Sequence, residues 1–157
     1  MKRIVGSVIV AGALVVALGW GATTVSAQDK EAVVKDRQET MKAQGAAMGT
    51  IKKYIDGEAD QAAAIKSAED LAKIGPTLPS KFPKDTGNAQ VPASYAKPTI
   101  WTEMDKFVAA QKNLGVQVDK LVVAVKSGDK KAAADQFAAT GKEGCGGCHT
   151  PFRIPKT

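Results

Sequence analysis

TIWTEMDKFVAAQKNLGVQVDKLVVAVKS, residues 99–127, places its apolar and neutral side chains at helical spacing. Trp101, Met104, Phe107 or Val108, Gln111, Leu114, Val118, Leu121, Val122 and Val125 recur at steps of three and four, a continuous inward stripe. Gly128-Asp129 breaks the pattern, and a further helix is predicted from residue 129 or 130 to about 150. Upstream, residues 30–55 repeat the periodicity through Val34, Gln38, Met41, Gly45, Met48, Ile51 or Lys52, and Ile55. Asp56-Gly57 ends that helix, Gly57 suiting the left-handed cap position. Residues 60–74 form the second helix, with Ala64, Ile65, Ala68, Leu71 and Ala72 as its buried face and Gly75-Pro76 as its stop. Pro76, Pro79, Pro83, Pro92 and Pro98 then crowd residues 75–98 and exclude regular structure there. The segments on either side are each too small to fold alone, so this is a crossover inside one domain. No stretch alternates with period two. The expectation is all-α: an antiparallel four-helix bundle with a long connection between helices 2 and 3.

The N-terminal segment reads differently. Lys2 and Arg3 precede an apolar run from Ile4 to Trp20, and Val25-Ser26-Ala27 offers a small-residue cleavage site. Residues 1–27 are read as a cleaved signal peptide in preference to a membrane anchor, since the run is short for a bilayer and rich in Gly and Ala. Residues 28–157 are then one exported domain, with no stable membrane insertion after cleavage and with the periplasm as its compartment. Without Lys2 and Arg3 the 22 basic residues become 20 against 16 acidic, a net +4. No Lys/Arg block accompanies that excess, so a nucleic-acid partner is not indicated.

Export permits disulfides, yet the chain has two cysteines, Cys145 and Cys148, three apart around Gly146-Gly147. A disulfide so local closes a tiny loop and constrains little, so chemistry explains the pair better. Cys145, Cys148 and His149 stand at i, i+3 and i+4, one face of the last helix. That arrangement suits two thioethers to the vinyl groups of a haem, with the adjacent imidazole beneath the ring to bind iron. Zinc would need a fourth ligand, but His149 is the sole histidine and the cysteines are already used. A thiol–disulfide oxidoreductase would set its pair at a helix N-terminus after a strand, and no strand precedes this one. One covalent c-type haem is the reading taken.

With that motif near the C-terminus of a four-helix chain, residues 32–153 resemble the class II c-type cytochromes, the family of cytochrome c-prime and its low-spin relatives. The matching pieces are Arg37-Gln38, Pro98-Thr99-Ile100-Trp101 with Phe107, and Cys145-Gly-Gly-Cys-His149 followed by Phe152-Arg153. With a single histidine, the far side of the iron is left to a methionine, to nothing, or to a less usual ligand. Met41, Met48 and Met104 all lie on predicted inner stripes, where methionine is commonly core filler. The resemblance singles out Met41, four residues after Arg37. Low-spin members carry an iron-binding methionine there, and five-coordinate members carry an apolar lid. It also implies that Arg37 and Arg153 face the haem propionates, although each is equally readable as a solvated charge. Pro151 should end the helix just past His149.

His149 and Met41 together would fill both axial positions and give a one-electron shuttle meeting redox partner proteins transiently. The alternative is a five-coordinate, high-spin cytochrome binding nitric oxide or carbon monoxide. An enzyme is not expected, since no distal histidine is available for acid–base work. Many family members dimerise through their first two helices, and the small residues Ala62 and Ala63 are compatible with a homodimer. Gly45 and Gly49, flanking Met48, suggest close approach of the haem or another helix; Gly141, Gly144, Gly146 and Gly147 suggest a last helix kept thin beside the ring. Trp101 and Phe107 are read as core or haem wall.

Overall fold

The computed structural model describes residues 27–155, and the expected signal peptide lies outside them except for Ala27. Helix α1 (Ala27–Asp56) carries Asp29 in its first turn and Lys53 in its last, charges that complement the helix dipole. Gly57, at φ 85°, turns the chain into α2 (Gln61–Ile74), whose first turn is capped by the Asp60 carboxylate accepting from the Ala63 N–H at 2.7 Å. The connection that follows holds two short 3₁₀ turns, Gly75–Thr77 and Pro79–Lys81, and is otherwise irregular. Helix α3 (Thr99–Thr102) and α4 (Met104–Lys126) follow. After Gly128 at φ 79°, Asp129 caps α5 (Lys130–Ala139) by accepting from the Lys131 and Ala132 amides. A π-helical turn, Thr140–Cys145, leads into α6 (Gly146–Phe152).

The architecture is the antiparallel four-helix bundle that the periodicity predicts. Helices α1 and α4 stand diagonally, each packing against α2 and α5, while the π turn and α6 lie along α4. The main core is built from Ile51, Tyr54, Ala64, Ala68, Leu71, Val118, Leu121 and Val125, all buried. A second cluster gathers at the opposite end, where Phe107 stacks edge-on against Phe82 (4.7 Å) and Phe152 (5.2 Å). Met41 packs against both clusters and so marks the space between them.

Some predicted details differ. The third helix is broken at Glu103 (φ −125°, ψ 41°), which shifts the phase of the stripe: Ile100 is buried whereas Met104, expected inside, is 36% exposed. A Cβ on Gly45 or Gly49 would meet no protein atom within 4 Å, so no neighbouring helix approaches them. Gly144 has a packing reason within the protein, since a Cβ there would lie 2.9 Å from Leu114 Cδ1, whereas a Cβ on Gly141 or Gly147 would meet no protein atom within 4 Å. Pro151 lies inside α6, one residue before its end, because in the last turn a proline forfeits a single N–H bond.

The long connection is pinned as firmly as the helices. The Trp101 indole N–H donates to the carbonyls of Phe82 and Pro83, each at 3.1 Å, and the ring lies flush on Gly87. A Cβ on Gly87 would fall 2.7 Å from the Trp101 ring, and a rigid indole cannot yield cheaply. Gly87→Ala should therefore lower stability by about 1–3 kcal/mol, as overpacking does, measured by urea unfolding of the purified protein.

Candidate functional site

Between the two clusters lies a cavity of about 510 Å³, within the usual range for sites that enclose a cofactor or drug-sized ligand. Cys145 closes the π turn, Cys148 and His149 sit on the first turns of α6, and all three line the cavity. Met41 and Arg37 of α1 and Arg153 after α6 line it too, so all six residues expected to hold the haem converge here.

The π turn brings the motif to the cavity, and side chains of α4 and α5 hold that turn. Asn113 Nδ2 donates to the Glu143 carbonyl at 2.9 Å, and Gln117 Nε2 donates to the Glu143 carboxylate at 3.1 Å. The fully buried Thr140 hydroxyl donates to the Gln136 and Gln117 carbonyls. A widened turn leaves backbone groups that need partners, and Asn113 and Thr140 serve the carbonyls of Glu143 and Gln136.

Burial sets the chemistry of the motif. It pushes the Cys145 thiol up, and the Cys148 thiol to about 11, the latter helped by neighbouring Cys145. Both stay protonated at neutral pH, unlike the low-pKa cysteine of a redox catalyst. Burial, and then the charge of Arg153, pulls His149 down, which keeps its imidazole neutral and its lone pair free for a metal. Among the described residues no group of three or more His, Cys, Asp or Glu side chains is gathered as a metal site.

Arg37 is neither solvated nor loosely placed. It is 4% exposed, its terminal nitrogens donating to Thr86 O (2.9 Å), Ser94 Oγ (2.8 Å), Thr86 Oγ1 (3.2 Å) and Lys81 O (3.3 Å), with Phe82 stacked beneath at 4.5 Å. All of these oxygens are neutral, and desolvation lowers the Arg37 pKa to about 10, still a cation at pH 7. A buried positive charge on the cavity wall without a carboxylate is a place for an anionic group. Arg153 sits at the rim, exposed, its backbone bridged to Ala96. A cavity of this size with an uncompensated guanidinium and two thiols beside an imidazole fits a haem with its propionates.

The family model described as Cytochrome C′ matches residues 32–153 of the chain. The chain belongs to the cytochrome c′ family. It is 33% identical over 124 residues to cytochrome c′ of Pararhodospirillum photometricum, covering 78% of this chain and 97% of that one. It is 31% identical over 127 residues to cytochrome c-556 of Agrobacterium fabrum, covering 78% and 82% respectively. Among solved structures, the nitric oxide complex of a cytochrome c prime variant from Alcaligenes xylosoxidans superposes with a TM-score of 0.70 at 25% identity, covering 81% of this chain and 97% of that chain. Cytochromes of this family bind one covalently attached c-type haem, and that is the cofactor of this chain.

Two features of this cytochrome escaped the sequence. Thr86 and Ser94, the partners of Arg37, lie in the connection and are buried polar residues that no periodicity marks. Gln111 is in sequence only a neutral position on an inward stripe, yet it lines the cavity. The elevated thiol pKa is open to test: in the folded, haem-free chain, alkylation of Cys148 by iodoacetamide should be slower at pH 7 than in denaturant and should accelerate as pH rises towards 11. Mass spectrometry of the modified peptide measures it.

Proposed function

We propose that this cytochrome holds its haem through Cys145, Cys148 and His149 and binds nitric oxide or carbon monoxide on the opposite face of the iron. When bound, the haem supplies an iron with two axial positions and a one-electron couple. Cys145 and Cys148 would tether it as thioethers, and neutral His149 would offer an imidazole nitrogen to the iron. Arg37 and Arg153 provide positive charge for the propionates. The observation that carries the reading is the apolar character of the cavity: Met41, Leu78, Phe82, Ile100, Phe107 and Leu114 line it, and no second histidine exists. Such apolar surface favours a small neutral molecule over water. Relatives named cytochrome c′ and the nitric oxide complex of one of them support it.

The electron shuttle that the sequence put first is the second reading, and one observation favours it. Met41 lies on α1, which packs against α2 and α5, and it lines the same cavity as His149 of α6. Its thioether suits haem iron as a sixth ligand and would raise the potential relative to bis-histidine ligation. In both readings residues 28–157 form one periplasmic domain released from a signal peptide. Redox partners meet it transiently, and a second copy of the chain pairs with it through α1 and α2.

The absorption spectrum of the reduced holoprotein separates the two. Gas binding requires a high-spin spectrum that shifts on carbon monoxide addition. A low-spin spectrum indifferent to carbon monoxide overturns it in favour of Met41 ligation, and Met41→Ala should then convert the protein to the responsive form.

A further inference from the structure

Gln111 is 6% exposed, and both of its side-chain polar atoms, Oε1 and Nε2, are buried without a hydrogen-bond partner while facing the haem cavity. Its neighbours on α4 fix its height. One turn earlier Phe107 stacks on Phe152, at the end of α6, and one turn later Leu114 presses on Gly144, just before the motif. Because α4 and α6 run antiparallel, Gln111 stands level with Cys148 and His149. Arg37, which faces the connection, is the residue proposed above for a propionate, so Gln111 is left to another group.

The motif has a matching need. One ring nitrogen of His149 goes to iron, and a metal-bound imidazole as a rule donates its other N–H to a fixed acceptor, which sets ring orientation and basicity. We propose that Gln111 Oε1 accepts this hydrogen bond in the holoprotein, making Gln111 a positioning residue for the axial ligand. The proposal rests on His149 ligation as read above. A neutral amide acceptor lends the imidazole mild imidazolate character, strengthens its bond to iron and favours the ferric state.

The test uses holoprotein in a Met41→Ala background, which leaves the sixth position open under either reading. Gln111→Leu should shift the iron–histidine stretching band, read by resonance Raman spectroscopy of the ferrous form, to lower frequency, and should raise the midpoint potential. Gln111→Glu, which keeps an acceptor, should restore both. If Gln111→Leu fails to fold, Gln111→Met of similar length takes its place. With haem attached, an unmoved band and potential overturn the proposal. So does an unmoved band accompanied by a shifted C–O stretch in the carbon monoxide adduct, which would set Gln111 against the exogenous ligand. If wild-type protein carries no covalent haem by the pyridine haemochrome assay, it is the haem reading that fails instead.

Discussion

Arg37 sends its guanidinium from α1 into the 75–98 connection, donating to carbonyls of Lys81 and Thr86 and to the hydroxyls of Thr86 and Ser94. Desolvating a cation is costly, and a charge met only by neutral dipoles survives burial because several donate electron density at once. The return is positional. The connection supplies Phe82 and Ala96 to the second core cluster, and without the clamp this long, proline-rich segment would have little to hold it over the cavity. Asp36, next to Arg37, adds an ion pair to Lys81 at 2.6 Å, so one turn of α1 grips the segment twice.

The other end of the site depends on α4, which combines apolar and polar contacts in one register. Phe107, Leu114 and Val118 fill the two clusters, while Asn113 and Gln117 reach across to Glu143 and keep the π turn open. A turn widened by one residue rotates everything after it, so those two amides bear on the direction in which Cys145 and His149 point. The tail returns to the connection as well: Lys97 N–H donates to Phe152 O at 3.0 Å and Ile154 N–H to Tyr95 O at 2.8 Å. The motif is thus held at both of its ends by segments far away in sequence.

Helical periodicity made the bundle legible, because an inward stripe at 3.6-residue spacing has few other solutions. Gly57 and Gly128 marked turns for the same local reason, and both adopt positive φ. The motif and the converging Arg37, Met41 and Arg153 were legible through chemistry and family likeness. What stayed hidden was non-local. The break at Glu103, the π turn at Thr140–Cys145 and the burial of Thr86 and Ser94 arise from tertiary partners that periodicity does not encode. Gly45 and Gly49 show the converse, a local signal to which no neighbouring helix answers.

The cavity walls come from Met41, Phe82, Phe107 and His149, positions spread over most of the chain, so the pocket exists only once the whole fold has closed. A diffusible ligand would leave each time that closure was lost and would have to be found again from solution. A cofactor bonded to the chain itself stays on it through unfolding, at the high effective concentration of an intramolecular group. Every refolding then begins with the hydrophobic centre of the pocket already attached to one wall, and affinity in the ordinary sense ceases to limit occupancy.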